Sequence, residues 1–356
     1  MERALFLAER GRGTVSPNPI VGAVVVSANG IVVGQGAHLR AGGPHAEVMA
    51  LEGAGARART GTLYCTLEPC AHTGRTGPCV ERIVPAGISR VVAAMVDPNP
   101  LVAGAGISYL QAHGVDVTVG VEESEARRLN CAFITWITRR RPFVIVKSAV
   151  SADGLVGRPG ERVALTGAAA DRFFHRQRAE IDAIAVGAGT VLADDPSLTA
   201  RLAWRDRPLV RVIFDWRMRV TPGARVFSTR SQGPVIMAVG RPAAEARPQG
   251  LAAIEAAGAE VRILDVREVR PVLEWLAERG VTSVLVEGGP RLHDEFFGAG
   301  VIDRVQRVDV PARLGSGATA AGGFGSGRRP AAVRTRRLGD DRLLEWDIDA
   351  DVHGTD

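Results

Sequence analysis

Short apolar, β-branched runs recur along this chain, and a stretch of helical spacing separates most of them from the next. Strands joined through helices can lie parallel in one sheet, which hairpin-linked neighbours cannot, so the pattern confines the chain to α/β layers. Segment 20–34 (IVGAVVVSANGIVVG) is the exception: its two runs flank Asn29-Gly30, a strong signal for a tight hairpin. A helix is expected over 45–52, where HAEVMALE has helical spacing, no breakers and Pro44 just ahead of it. Strands are expected at 62–67 and 89–97, around a Gly/Pro/Thr-rich loop and a helix near 78–87. A helix near 104–113 and a strand at 115–119 follow. A polar, helical stretch then ends at Arg139-Arg140-Arg141-Pro142, and this charged run before a proline marks the expected boundary between domains at 1–141 and 142–356. Two domains also suit 356 residues at roughly 150 per domain.

Past the boundary, apolar runs at 142–151, 181–189, 208–215, 234–240, 259–264 and 282–289 alternate with helical segments near 167–179, 242–257 and 268–279. No repeat relates the two halves. The Gly-rich stretch 315–327 reads as a mobile loop and residues 350–356 as a frayed tail.

Composition narrows the classes. Hydrophobic residues at 46% and charged residues at 23% exclude disorder over most of the chain. No apolar run reaches membrane-spanning length, and Met1-Glu2-Arg3 opens on alternating charge, so neither a membrane span nor a secretory signal is expected. Cys65, Cys70, Cys79 and Cys131 are too few for a disulfide framework, which suits a reducing, cytoplasmic setting. The net charge of +5 is spread along the chain and forms no basic block, so nucleic acid is not the expected partner. Of the 44 basic residues one alone is lysine, Lys147. It is expected where a planar, permanently charged guanidinium would fail.

His45-Ala46-Glu47, then Pro69-Cys70 and Cys79, bring one imidazole, one carboxylate and two thiols into the first domain. Three protein ligands leave a zinc ion an open position, and its charge lowers the pKa of a bound water from 15.7 to roughly 7. Glu47, on the same helical turn as His45, is placed to move protons without ligating the metal. Cys70 precedes a helix that starts at Cys79, and helix N-termini favour thiolates, so both thiols are expected as ionised ligands. The alternative is a closed structural site with His72 as fourth ligand, but such a site gains nothing from Glu47. Cys65, Cys131, His38 and His113 read as core residues.

Zinc deaminases of nucleobases pair His-x-Glu with two cysteines separated by two residues, whereas eight residues separate Cys70 from Cys79 here. That inserted loop, 71–78, together with SPNPIVGAVVV (16–26) and DPNPLVAGAG (97–106), resembles the deaminase half of the bifunctional deaminase/reductase family of riboflavin biosynthesis. The resemblance implies a cytidine-deaminase-like three-layer domain that hydrolytically deaminates a pyrimidine carrying a phosphoribosylamino group. It also implies zinc on His45, Cys70 and Cys79, with Glu47 as acid/base and Asn18 and His72 facing the substrate.

Lys147 closes a β-branched run ahead of Ser151-Ala152-Asp153-Gly154, which puts a cation at a strand end, where open α/β sheets bind ligands. VGAGTVLADDPSLTAR (186–201) and VEGGPRL (286–292) each lead from a strand into a glycine turn whose N–H groups suit a phosphate. In this order, after a deaminase, these elements resemble the reductase half of the same family, whose fold is similar to dihydrofolate reductase. That family reduces a ribosyl group to a ribityl chain with NADPH. Carried over by motif position, the resemblance assigns NADPH to Thr190, Asp194, Gly289, Pro290, Arg291 and Leu292. It assigns the substrate to Arg178, Leu198, Arg201 and Glu287, places Lys147 near the sugar, where its ammonium either polarises the ring-opened carbonyl or donates a proton, and implies self-association through the second domain. Two departures stand out. Arg162-Val163-Ala164-Leu165-Thr166-Gly167 lacks the family's tryptophan, and Asp215-Trp216 replaces a common Asp-Ser pair, so that Trp216 either restores the aromatic surface or blocks the nucleotide. Three other readings stay open on the residues alone: a second domain that binds without reducing, a deaminase of a related nucleotide, and a zinc-stabilised nucleic-acid-binding protein.

Overall fold

The computed structural model of the protein describes residues 1–72, 77–100, 102–158, 161, 163–324 and 332–348. Arg162, the tail at 350–356, and parts of the loops at 71–78 and 315–327 lie outside these described residues. Two compact units form, Met1–Arg140 and Arg141–Ile348.

In the first unit, β1 (Gly22–Val26) and β2 (Val32–Ala37) make the expected antiparallel hairpin, and β3 (Thr62–Cys65), β4 (Arg90–Ala93) and β5 (Asp116–Val119) complete the sheet. The order is β2-β1-β3-β4-β5, with β3, β4 and β5 mutually parallel. Helices α1 (Glu2–Ala8), α2 (Ala46–Ala54), α3 (Val80–Ile83), α4 (Ala105–Ala112), α5 (Glu123–Leu129) and α6 (Cys131–Arg139) accompany it. The sequence reading did not anticipate α1, and the helix expected at 78–87 is helical only over the four residues of α3. Helix α2 rests backbone to backbone on β2. A β-carbon at Gly34 would fall 2.0 Å from Ala50 O, and one at Gly36 would fall 2.1 Å from Ala46 O. The helix face turned to the strand is correspondingly small, with Ala46, Ala50 and Ala54 buried.

The second unit contains β6 (Phe143–Val150), β7 (Leu155–Gly157), β8 (Ala183–Gly187), β9 (Val210–Phe214), β10 (Val235–Gly240) and β11 (Ala259–Leu264). It continues with β12 (Ser283–Val286), β13 (Arg304–Asp309), β14 (Ala318–Thr319), β15 (Arg334–Leu338) and β16 (Asp341–Asp347). Nine of these strands form one sheet in the order β11-β10-β9-β8-β12-β6-β13-β16-β15, parallel from β11 through β13 and antiparallel beyond. Helices α7 (Ala168–Glu180), α8 (Ala188–Asp194), α9 (Arg225–Ser228), α10 (Arg241–Ala246), α11 (Pro248–Ala256), α12 (Arg270–Glu278) and α13 (Pro290–Gly298) connect the strands. The near-continuous burial of β8, β10 and β12 is the signature of parallel strands covered on both faces.

Four expectations change. Lys147 is not at a strand end: it is mid-strand in β6, opposite Gln306 of β13, because the strand continues through Ser148-Ala149-Val150. The single helix expected over 242–257 breaks at Arg247-Pro248, where proline brings no N–H to the helical ladder and disfavours helical geometry in the residue before it. The stretch expected to be a mobile loop pairs through β14 with β7 and buries Phe324, whose ring meets His293 at 5.0 Å and Phe297 at 5.5 Å. Strands β13, β15 and β16 escaped the sequence reading because charge interrupts their apolar pattern; those charges pair across the strands, as in Arg304–Asp347 at 2.6 Å and Arg342–Asp309 at 3.0 Å. Arg141, in the charged run at the expected boundary, is buried in a bidentate pair with Asp303 at 2.6 and 2.8 Å. Asp303 also accepts the N–H of Val144 at 2.8 Å, so this pair anchors the start of β6.

His293 of α13 is buried, with Nε2 donating to Val286 O at 3.3 Å, and burial pushes its pKa down to about 4. A histidine held neutral in the fold contributes stability above its unfolded pKa, and loses it as pH falls and the unfolded chain takes up the proton first. With the folded value at about 4, the loss reaches about 2 kcal/mol at about pH 5. Urea unfolding at about pH 7.5 and about pH 5 should therefore show wild type losing about 2 kcal/mol more than His293→Gln. Equal losses in the two proteins would refute the assignment.

Candidate functional site

Seated on β2, helix α2 carries His45 at its N-cap and Glu47 in its first turn. His45 Nδ1 lies 3.2 Å from Cys79 Sγ and 3.4 Å from Cys70 Sγ, and all three ligand atoms fall within 4.8 Å of one another. Ligands bound to a tetrahedral zinc at about 2.0–2.3 Å stand roughly 3.5 Å apart, so the triad fits that ion in both spacing and donor type. The Cys79 N–H donates to Cys70 Sγ at 3.3 Å, a direct bond between the two thiol-bearing residues.

Without a cation the two thiols differ from each other. Cys70 is pulled down to about 4, chiefly by the hydrogen bond from Cys79 and then by that from His45. Cys79 is pushed up by donating to Cys70 and by burial, so in the absence of a cation one thiol of the pair keeps its proton. Local hydrogen bonding does this, since α3 is a single turn and its dipole is short. His45 is raised by its contact with Cys70. Glu47 is 3% exposed, and burial together with the charge of Cys70 raises its carboxyl to about 7.

A cavity of about 410 Å³ opens on His45, Glu47 and Cys70. Asn18 and His72 line it, as the sequence suggested. Asn18 is oriented from below: His38 Nδ1 donates to Pro44 O at 3.0 Å, which leaves Nε2 to accept the Asn18 amide at 3.1 Å. Burial lowers the His38 pKa and favours this neutral form. His38 is thus a cavity residue and not simply core, while His113 is exposed, stacked on Tyr109 at 4.2 Å. Cys65 and Cys131 are buried, as expected.

The remaining walls were not assigned from sequence. Glu68, Asp97 and Asn99 line one side; the two last belong to the quoted DPNP motif, whose resemblance to the earlier PNP turn was the available signal. Phe133, Trp136 and Ile137 of α6 line another, and nothing in a stretch read as polar and helical pointed to them.

In the second unit, Arg178 and Glu287 form a bidentate ion pair, with Nε donating to Oε1 at 2.6 Å and Nη2 to Oε2. Burial pushes Glu287 up, but Arg178 outweighs it and holds the carboxyl below its usual range. The Lys147 ammonium sits 4.7 Å from the Phe174 ring centroid, and burial lowers its pKa against the opposing pull of Glu287. Arg178 also donates to Thr199 O at 3.2 Å, tying it to the segment that holds Leu198 and Arg201. Leu198 is buried at a φ of 53°, and Arg201 donates to Ser197 Oγ at 3.1 Å. Thr190, near the start of α8, accepts the Gly289 N–H at 3.1 Å, so the two glycine turns are joined. Pro290 and Arg291 open α13, Leu292 is buried behind them, and Asp194 ends α8. Trp216 packs beside Phe214 at 5.7 Å and donates to Glu295 at 2.9 Å, while Ala164 is exposed.

Comparison with known proteins converges on one family. Residues 142–344 match the RibD C-terminal domain, and residues 1–95 match the cytidine and deoxycytidylate deaminase zinc-binding region. The riboflavin biosynthesis protein RibD of Aquifex aeolicus is 41% identical over 318 residues, covering 89% of this chain and 87% of that protein. RibD of Escherichia coli is 39% identical over 337 residues, covering 89% and 88%. Among solved structures, the Thermotoga maritima diaminohydroxyphosphoribosylaminopyrimidine deaminase/5-amino-6-(5-phosphoribosylamino)uracil reductase has a TM-score of 0.84 at 36% identity, covering 97% of this chain and 96% of that one. RibD of Acinetobacter baumannii gives 0.82 at 34% identity, over 97% and 96%. No helix among the described residues is long and apolar enough to cross a membrane. A zinc-binding deaminase domain followed by a RibD C-terminal domain, in the order and over the length that these relatives share, makes this chain a member of the RibD family of bifunctional deaminase/reductases in riboflavin biosynthesis.

Proposed function

We propose that the first unit deaminates 2,5-diamino-6-(5-phosphoribosylamino)pyrimidin-4-one and that the second reduces the ribosyl group of the product to a ribityl chain with NADPH. The observation that carries the first half is a buried carboxyl, Glu47, beside three convergent zinc-type ligands on one cavity. Zinc bound there supplies a Lewis acid and an activated water. His45, Cys70 and Cys79 hold the ion, and Glu47 takes a proton at its carboxylate and hands it to the departing ammonia. Burial raises this carboxyl above its ordinary range, which suits a group that takes and returns a proton. Asn18, fixed by His38, offers its amide to the pyrimidine, and His72 lies at the cavity wall for the same substrate.

For the second half, Thr190, Asp194, Gly289, Pro290, Arg291 and Leu292 hold NADPH, and the bond joining Thr190 to Gly289 supports a single cradle built from both glycine turns. NADPH supplies the hydride. Arg178, Leu198, Arg201 and Glu287 hold the sugar phosphate, with Glu287 and Arg178 fixing each other. Lys147 donates a proton at the sugar, and burial beside Phe174 makes its ammonium a readier donor than an exposed one. Self-association through the second unit belongs to the same proposal and follows from the family resemblance, while the few cysteines support a cytoplasmic setting and the dispersed charge supports the lack of a nucleic-acid partner.

Glu47→Gln should keep stoichiometric zinc while ammonia release falls about 10²- to 10⁴-fold, because only the proton carrier is removed. Metal content and ammonia assayed on one preparation decide it; loss of the zinc would sink the role given to Glu47. Lys147→Arg retains charge but substitutes a planar fork for a rotatable ammonium in a buried slot, so NADPH oxidation on the deaminated substrate should fall at least about tenfold with deamination intact. Reduction at the wild-type rate would remove Lys147 from the chemistry.

A further inference from the structure

Glu68 is no metal ligand and no proton carrier, yet its carboxylate organises one wall of the deaminase cavity. The side chain is 3% exposed and sits two residues ahead of Cys70. Oε2 accepts the N–H of Asp97 at 3.0 Å and of Gly104 at 3.0 Å, while Oε1 accepts those of Gly106 at 2.8 Å and Ile107 at 3.2 Å. Four N–H groups are thus aimed at its two oxygens, two on each.

Three of these donors form the N-cap and first turn of α4. A helix start carries N–H groups without intrahelical partners and a partial positive charge, usually met by a local Ser, Asp or Asn. Here Gly104 occupies the N-cap with no side chain to offer, and Glu68 supplies the acceptor from 36 to 39 residues earlier. The fourth donor, Asp97 N, opens the turn in which Asp97 Oδ1 accepts the Asn99 N–H at 2.9 Å. Both Asp97 and Asn99 line the cavity. Contact continues along the backbone, where a β-carbon at Gly106 would fall 2.0 Å from Pro69 O, between Glu68 and Cys70. One short segment therefore ends in a metal ligand and grips the wall facing the substrate.

We propose that Glu68 is a positioning residue for deamination, holding the wall of Asp97 and Asn99 in place beside Cys70 so that substrate meets a preformed binding wall. This role rests on the deaminase reading above. Glu68 touches no reacting atom and acts through the segment it clamps. An amide in its place keeps one acceptor oxygen and turns N–H donors toward N–H donors, so the wall loosens while His45, Glu47, Cys70 and Cys79 stay as they are.

The test uses the zinc-loaded full-length chain carrying Glu68→Gln. KM for the diaminopyrimidine substrate should rise about tenfold or more, with kcat within about threefold of wild type. Zinc content and reductase activity should be unchanged, and amide hydrogen exchange at Asp97, Gly104, Gly106 and Ile107 should accelerate without substrate. A merely structural role would lower stability and leave KM alone, so an unchanged KM overturns the proposal. Loss of zinc together with kcat overturns it as well, by assigning Glu68 to the metal site. Should that variant fail to fold, Glu68→Asp keeps the charge and shortens the reach by one methylene; it must raise KM in the same way, or the proposal falls. A wild-type chain with protected amides but no ammonia release would overturn the deaminase reading, and this role with it, while leaving the clamp itself in place.

Discussion

The contact between α2 and β2 is the constraint on which the deaminase site depends. Two glycines, one residue apart, let a helix backbone approach a strand backbone more closely than any side chain would permit. That approach fixes the height of α2 over the sheet, and with it the positions of His45 at the helix start and Glu47 in its first turn. The cysteines come from other elements, Cys70 on the segment leaving β3 and Cys79 at the start of α3. A zinc site assembled from such distant pieces tolerates little error, because ligand positions about 1 Å off would spoil a tetrahedral geometry.

Burial acts on both of the proposed proton carriers. Glu47 and Lys147 carry opposite charges when ionised, and removal from water disfavours the charged form of each, so the carboxyl rises and the ammonium falls. Each is thereby brought nearer the range in which a group can exchange protons usefully. Their neighbours set how far the shift goes: Cys70 pushes Glu47 further up, while Glu287 restrains the fall of Lys147. The Arg178–Glu287 pair shows the contrary arrangement, in which two buried groups keep their charges by satisfying one another.

Most strands and helices were legible because parallel strands covered on both faces must be apolar throughout, and runs such as PVIMAVG and TSVLVEGG announce that directly. The misreadings share a physical cause. At the edge formed by β13, β16 and β15, ion pairs across the strands replace part of the apolar signal, so the strands resemble polar loops until their partners are known. Lys147 looked like a strand end for the same reason: one charge in an apolar run reads as exposure, although the sheet continues past it. Arg141 is the reverse case, a charge in a run of charges whose burial depends on Asp303, 162 residues away.

The candidate sites divide along the same line. Ligand chemistry belongs to short motifs: His45 with Glu47 on one helical turn, Pro69-Cys70, Cys79, and the two glycine turns of the second unit were readable because each needs particular residue types at particular spacings. What surrounds those motifs was not readable. His38 acquires its place only when Pro44 and Asn18 converge on its ring, and Glu68 acquires its place only when α4 brings three N–H groups to it. Thus the residue order by itself determined the α/β layering, the family and the candidate reacting groups, since these depend on local periodicity and spacing. Only the tertiary structure decided which polar side chains hold those groups in place, because a hydrogen bond across 36 residues leaves no periodic trace in a sequence.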